Sequence, residues 1–135
     1  MSGSGGKMIP GLAGESEMVV QEEDLVSRLG EVPIKVLSTP RLIQLLEAAA
    51  LKAIYDFIPT DQVSLGTEVK IKHLSPTPSG MKVTAHALLK EVRRNRLFFL
   101  VDAFDELEKV AEGEHERVLV PKESFLQRVE KKRRG

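Results

Sequence analysis

The sequence contains no cysteine and no tryptophan, and aromatic residues make up only 4% of its 135 residues. Without cysteine, the chain has no disulfide bond, no thiolate nucleophile and no thiolate metal ligand. Twenty basic and twenty acidic side chains give a formal net charge of zero, which provides no electrostatic footprint for nucleic acid. No apolar run approaches the roughly 20 residues of a transmembrane helix. We therefore expect a soluble, cytoplasmic protein whose partners are neither nucleic acids nor membranes.

The chain divides into three parts by composition. Residues 1–17 are rich in glycine and polar residues and lack the apolar segment of a signal peptide, which predicts a flexible leader. Residues 18–130 are long enough to bury one core as a single domain, and residues 131–135 form a basic tail. Within the domain, a weak strand is expected over 18–27 and a linker over 28–38.

A long helix is predicted to begin at Pro40 and to end near Phe57, because Pro59 disfavours helix in the residue before it. Proline is tolerated at the first helical position, and the hydroxyl of Ser38 or Thr39 can cap the helix by accepting a hydrogen bond from a free backbone amide.

The apolar residues of this helix fall on one wide face at about 100° per residue. They are Leu42, Ile43, Leu46, Ala49, Ala50, Ala53, Ile54 and Phe57. Glu47 lies at the edge of that face, about 20° past Ile54, so its carboxylate is expected to be half-buried. Alanines at positions 48–50 allow another backbone to approach the helix closely.

Four segments after the helix are predicted to be strands, separated by turn residues: 62–74, 81–92, 96–105 and 109–120. The closing segment, KESFLQRVEKKRRG, is predicted to be a helical tail. A strand, a long helix and four consecutive strands are typical of an α+β fold in which one helix packs on a single face of an antiparallel sheet.

The strand over 96–105 is apolar on both faces. Its second apolar set consists of Phe98, Leu100 and Phe104, which are unusual on a solvated face and are expected to lie near a subunit interface or under the tail. This pattern predicts a homodimer, with a tetramer as a further possibility.

The segment Val63–Gly80 alternates apolar and charged residues, and this alternation places His73 on the same face as Val69 and Ile71. A histidine at the apolar end of a strand, before a Ser-Pro-Thr-Pro-Ser-Gly turn, is either a core residue or a proton-transfer group. Strand periodicity alone leaves both interpretations open.

The other two histidines give weaker signals. His86 alternates with polar residues and is predicted to be an exposed strand residue, whereas His115 is expected to be structural or to lie on the rim of a site. The spacing of the three histidines is not that of a zinc site, so no metal is expected.

A family resemblance is carried by three segments, which read STPRLIQLLEAAA, VSLGTEVKIKHLSPTPSGMKVTAHA and EGEHERVLV. Together they resemble the fluoroacetyl-CoA thioesterase family within the hotdog-fold thioesterases, over about residues 37–129. The resemblance implies a strongly curved antiparallel sheet of about five strands wrapped around one long helix. It also implies dimers with the active site at the subunit interface.

The catalytic group that the resemblance implies consists of Thr39, Glu47 and His73. The matching segments also provide the expected substrate-binding residues, which are Gly66, Thr67 and Arg117. Thioester hydrolysis needs a nucleophile, a base and stabilisation of an oxyanion. His73 could act as base toward water or toward the Thr39 hydroxyl, and Glu47 could orient His73 or attack the thioester itself. An amide at the helix start, or one near Gly66, is the expected oxyanion donor.

The expected reaction is hydrolysis of a small acyl-CoA thioester, with no cofactor other than the coenzyme A of the substrate. The specialised fluoroacetyl member has aromatic residues ahead of its threonine, whereas RLGEVPIKVLST has no phenylalanine, which favours a more general acyl group. The alternative is a non-hydrolytic acyl-CoA-binding or sensing protein on the same scaffold. Such a protein would not need Thr39, Glu47 and His73 together.

Overall fold

A computed structural model describes residues 7–26 and 34–135 of the chain. Its elements, in chain order, are β1 (Ala13–Val19), β2 (Leu25–Val26), β3 (Val36–Leu37), α1 (Thr39–Ile54), β4 (Gln62–His73), β5 (Lys82–Arg93), β6 (Arg96–Phe104), β7 (Lys109–Pro121) and α2 (Lys122–Arg133). Five of the strands form one antiparallel sheet in the order β1-β5-β6-β7-β4, and β2 pairs with β3. The predicted α+β architecture is therefore confirmed.

The helix α1 forms the centre of the core, as its apolar periodicity predicts. Its N-terminus is capped by Ser38, whose side chain accepts a 3.2 Å hydrogen bond from the Arg41 amide. Its buried face faces the sheet and contains Leu42, Leu46, Ala49, Ala50, Ala53 and Ile54. The α-helix ends at Ile54, and a single 3₁₀ turn continues to Phe57, the position at which the helix was expected to end.

The first strand differs from its prediction. It spans Ala13–Val19, whereas a flexible leader was expected through residue 17 and a strand over 18–27. Gly14 explains the difference, since a Cβ atom at this position would collide with the backbone of Ala49 and Ala53 on α1. The strand is therefore fixed by contact with the helix and by pairing with β5. Residues 27–33, which belong to the predicted strand and linker, lie outside the described residues.

The four later strands lie within two residues of their predicted bounds, and β6 shows the expected alternation. Its core side is fully covered, with Leu97, Phe99, Val101 and Ala103 at most 5% exposed. On its other side Leu100 and Phe104 are about 40% exposed, while the Phe98 ring lies under the guanidinium groups of Arg93 and Arg96. The placement of this second set at a subunit interface stays a prediction.

The C-terminal segment forms the expected helix. Residues 131–133 of the predicted basic tail are its last turn. Neither this helix nor any other helix in the described ranges 7–26 and 34–135 is long and apolar enough to cross a membrane.

Candidate active site

Thr39 and His73 meet where α1 begins and β4 ends. The Oγ1 atom of Thr39 lies 2.8 Å from Nδ1 of His73, which is a short hydrogen bond. His73 is half-buried in step with Val69 and Ile71, as the strand alternation predicts. The structure therefore brings together two of the three residues of the predicted catalytic group.

Two backbone hydrogen bonds hold the start of α1 in place. The Leu37 amide donates to the carbonyl of Thr77 at 2.8 Å, and the Ser38 amide donates to the carbonyl of Asp24 at 2.9 Å. Thr77 is fully buried, and its hydroxyl donates to the carboxylate of Asp105 at 3.0 Å. The turn that follows His73 is thereby tied to the residues that precede Thr39.

Asp24 is a second anchor of the helix start, and nothing in the sequence indicates this role beyond its place in a predicted weak strand. Its side chain is only 9% exposed. It forms an ion pair with Arg41, whose Nε donates a 3.0 Å hydrogen bond to the carboxylate. The same carboxylate accepts a 2.8 Å hydrogen bond from the Gln21 amide. Asp24 therefore links Gln21, in the segment after β1, to Arg41 in the first turn of α1.

His73 is electrostatically suited to act as a base. Burial lowers the pKa of His73 below its ordinary value, while the nearby Ser75 backbone partly opposes that shift. Nε2 of His73 is buried and has no hydrogen-bond partner among the described residues. The imidazole is therefore neutral at physiological pH, and in the tautomer with its proton on Nε2 it holds a lone pair on Nδ1, the nitrogen that faces Thr39.

A cleft of about 320 Å³ opens beside this pair. Its walls include the aliphatic side chains of Val26, Val36 and Leu37, with Thr39 and His73 at its polar end. A mostly apolar cleft with a few convergent polar groups is the usual form of a small-molecule site.

Glu47 belongs to a second cluster, further along α1. Its Oε2 atom lies 3.7 Å from Nη1 of Arg117, and its side chain is 37% exposed, which confirms the predicted half-buried position. Nε of Arg117 donates to Ser64 Oγ at 2.6 Å, and Nη2 donates to the Ser64 carbonyl at 3.1 Å. Gly66 leaves the room for this carboxylate, because a Cβ atom there would lie 2.5 Å from Glu47 Oε2.

Arg117 is a nearly buried cation. Burial lowers its pKa and the neighbouring Glu47 partly restores it, but an arginine remains charged at any physiological pH. His115 is only 3% exposed and lies against Arg117, so it is buried and not on a rim, and its expected structural role stays a prediction. No pattern in the sequence indicates that Ser64 and His115 contact the same arginine.

Thr67 is separate from both clusters. Its hydroxyl donates to the Glu116 carboxylate at 2.9 Å and to the Glu116 carbonyl at 3.1 Å. Its expected contact with substrate therefore stays a prediction.

Within one chain the two clusters are well separated. Thr39 and Glu47 are eight residues apart on α1, which corresponds to about 12 Å along the helix axis. Gly66 and His73 are seven residues apart on β4, which corresponds to roughly 23 Å. Glu47 therefore cannot orient His73 of its own chain in this arrangement.

The outer face of the sheet holds a larger cleft of about 480 Å³, far from Thr39. Its histidine, His86, is exposed as expected and is bonded to Asp102 at 2.8 Å and to Glu15 at 3.3 Å. The described part of the chain contains no group of three or more histidine and acidic side chains arranged for a metal ion.

The chain matches the family described as fluoroacetyl-CoA-specific thioesterase over residues 20–123. It belongs to this family. It is 33% identical, over 98 residues, to the fluoroacetyl-CoA thioesterase of Streptantibioticus cattleyicolor, a match that covers 73% of this chain and 70% of the relative.

Solved structures of similar proteins confirm the hotdog fold. A fluoroacetyl-CoA thioesterase structure superposes with a TM-score of 0.85 at 30% identity and covers 94% of this chain and 98% of that one. A hot-dog-like protein from Thermanaerovibrio acidaminovorans gives a TM-score of 0.83 at 24% identity, with 91% of each chain covered. The chain is thus a hotdog-fold member of a thioester hydrolase family.

Proposed function

We propose that this protein hydrolyses a small acyl-CoA thioester to the free acid and coenzyme A. The observation that carries the proposal is the 2.8 Å hydrogen bond between Thr39 and a neutral, partly buried His73 at the mouth of an apolar cleft. A hydroxyl bonded to a neutral imidazole is the arrangement that general base catalysis requires.

The reaction begins when His73 accepts a proton from the Thr39 hydroxyl or from a water molecule in its place. The oxygen that loses the proton attacks the thioester carbonyl, and the carbonyl oxygen becomes an oxyanion. Thr39 is the first residue of α1, so the positive end of the helix dipole faces this developing charge. When the intermediate collapses, the carbon–sulfur bond breaks and the protonated His73 returns its proton to the departing thiolate. If Thr39 was the nucleophile, water then hydrolyses its acyl ester by the same steps.

Glu47 enters this scheme through a second copy of the chain. The strand β4 is an edge of the sheet, paired on one side with β7 only, and an unpaired edge of twelve residues is a template for another strand. Antiparallel pairing of two β4 edges, centred near Val69, would bring Gly66 of each copy level with His73 of the other. In such a dimer, Glu47 and Arg117 of one copy complete the site that begins with Thr39 and His73 of its partner.

The acyl group is proposed to be small and without a special requirement for fluorine. Three of the described cleft residues, Val26, Val36 and Leu37, are aliphatic and offer dispersion contacts to an acyl chain. An aliphatic wall distinguishes acyl chains by only about tenfold to 200-fold per methylene.

The proposal is tested by incubating the protein with a panel of acyl-CoA thioesters and measuring free thiol. We expect turnover of short acyl-CoAs and a large loss in Thr39→Val, with Thr39→Ser retaining more activity than Thr39→Val. Tight acyl-CoA binding without thiol release above the buffer rate would support the binding or sensing protein instead.

The site shared between two chains is tested by mixing two variants of reduced activity, His73→Ala and Glu47→Gln, after unfolding and refolding them together. A mixed dimer contains one site with Thr39, His73 and Glu47 all intact, so activity should return well above that of either parent. A mixture no more active than its parents, or an active species that sediments at 15.0 kDa, would place the whole site in one chain.

A further inference from the structure

His115 is a buried histidine that does not contact Thr39 or His73, and the mechanism above gives it no role. It lies on β7 at 3% exposure, and its ring stacks on Phe99 with centroids 5.9 Å apart. Its two ring nitrogens contact two different groups, the Glu68 carbonyl and the Arg117 guanidinium. A merely space-filling residue at this position would need neither contact.

The two contacts fix the protonation state of the ring. Nδ1 of His115 lies 2.8 Å from the Glu68 carbonyl, which can only accept, so Nδ1 carries the proton. Nε2 lies 3.3 Å from Nη1 of Arg117, which can only donate, so Nε2 holds a lone pair. His115 is therefore neutral and in the Nδ1–H tautomer.

This lone pair completes the set of acceptors around Arg117. Ser64 binds Nε and Nη2, and His115 binds Nη1, the same atom that lies 3.7 Å from Glu47. A guanidinium is planar, so fixing all three nitrogens fixes the direction in which Nη1 points. The carboxylate of Glu47 then has one charged partner at one defined position.

We propose that His115 is a positioning residue, which acts as a neutral acceptor to fix Arg117 and, through Arg117, the carboxylate of Glu47. The proposal rests on the proposed function, in which Glu47 serves the reaction. It also predicts that protonation of His115 would break the arrangement, since an Nε2–H group would then face a guanidinium.

The charges around His115 come from two elements, α1 and β7, while the backbone carbonyl of Glu68 on β4 accepts a hydrogen bond that raises the pKa of His115. Arg117 on β7 disfavours protonation of His115, whereas Glu47 on α1 and Glu116 on β7 favour it, and Phe99 on β6 has no charge. Burial is the largest influence and lowers the pKa of His115 below its ordinary value. The neutral state that the hydrogen bonds require is therefore the state expected at physiological pH.

The first test does not depend on catalysis. ¹⁵N NMR of the histidine rings should show His115 as a neutral Nδ1–H tautomer, and the Arg117 Nε–H signal should exchange slowly because it is buried against Ser64. A His115 ring protonated on Nε2 would overturn the proposal, whatever the enzyme assay shows. A protein without thioesterase activity, but with these two signals, would instead contradict the proposed function alone.

The second test compares two substitutions. His115→Phe keeps the stacking on Phe99 but has no acceptor, and His115→Gln offers an amide oxygen to Arg117. We expect kcat to fall about 10- to 100-fold in His115→Phe with little change in KM, the range typical of groups that orient active-site residues, and to recover most of that loss in His115→Gln. His86→Phe, at an exposed site, is the matched control and should leave the rate unchanged.

The third test combines the substitutions. In the Glu47→Gln background, His115→Phe should lower kcat no further, because the two residues act along one path. Independent losses that multiply in the double variant would show that His115 acts on something other than Glu47. If His115→Phe does not fold, the tautomer measurement on the unmodified protein and the His115→Gln rate still decide the question.

Discussion

The Thr39 hydroxyl and Nδ1 of His73 lie 2.8 Å apart although 34 positions separate them in the chain. The contact depends on two turns, since the loop after His73 supplies the Thr77 carbonyl that holds Leu37, two residues before Thr39. Thr77 is itself held by Asp105 in the β6–β7 turn. The distance between Thr39 and His73 is therefore set by backbone and side-chain hydrogen bonds of residues outside the pair.

Replacing the base should remove most of the activity. His73→Ala is expected to lower kcat by about 10²- to 10⁴-fold, the usual contribution of a general base. The fold should persist because His73 is only partly buried at the end of its strand. Thiol release under saturating acyl-CoA measures the effect, with His86→Ala as the control, and a rate within twofold of the unmodified protein would contradict the assignment.

Removing the charge of Glu47 should lower both activity and stability. A half-buried carboxylate considered alone is a net cost, but here Glu47→Gln leaves the guanidinium of Arg117 buried without its counter-charge. We expect a loss of less than about 3 kcal/mol in the free energy of unfolding, since Glu47 is partly exposed. Urea unfolding measures it, and an unchanged or raised stability would show that the ion pair contributes nothing.

The pH at which activity falls on the acid side should lie below the ordinary pKa of histidine. Burial lowers the pKa of His73 from 6.5, so the base stays neutral down to pH values below 6.5 and is lost as the pH falls through the lowered pKa. The pH profile of kcat/KM reports this pKa for the free enzyme. An acid limb with its midpoint above 6.5 would show that His73 is stabilised in its charged form.

The stability of the fold should also decrease at acid pH. His73 and His115 have lowered pKa values in the folded protein. As the pH falls below 6.5, the unfolded chain therefore binds more protons than the folded chain does. The neutral rings contribute fully to the free energy of unfolding above pH 6.5. This contribution is lost as the pH falls through the lowered pKa values of the folded protein. Urea unfolding at about pH 8 and about pH 5 should therefore show lower stability at the acid value, with a smaller difference in His115→Gln. Equal stabilities would contradict this.

Gly66→Ala should displace Glu47 without unfolding the protein. The added Cβ would lie 2.5 Å from Oε2 of Glu47, and this atom is the end of a flexible side chain that can move away. We expect a folded protein whose kcat and unfolding free energy are both close to those of Glu47→Gln, because both substitutions weaken the ion pair of Glu47 with Arg117. Thr67→Ala, one residue on, should have little effect because Thr67 bonds Glu116. A loss of activity in Thr67→Ala would instead support the expected role of Thr67 in substrate binding.

Local patterns in the sequence predict most of the fold. The turn residues between strands β4 to β7 predict their bounds to within two residues, and the predicted apolar face of α1 is buried. The first strand could not be predicted because AGESEMV has no strand periodicity. It becomes a strand through a tertiary contact, the close approach of Gly14 to Ala49 and Ala53.

The candidate site is predicted in part. The Thr39–His73 pair follows from the family resemblance together with strand register, and the structure shows its hydrogen bond. Two features do not follow from any local pattern, namely the ion pair of Arg117 with Glu47 and the lone pair that His115 directs at Arg117. Both arise because α1, β4 and β7 meet in the folded protein, and the spacing of residues along the sequence does not predict that contact.

The pairing of β1 with β5 has a consequence for how the chain folds during synthesis. Residues Ala13–Val19 are synthesised before the other described strands, and their partners on β5 follow roughly 60 to 75 residues later. The α1 surface at Ala49 and Ala53 must also exist before Gly14 can pack against it. The strand β1 therefore waits unpaired until β5 has been made, and until then β1 and the side of α1 that it covers are open to aggregation or to a chaperone.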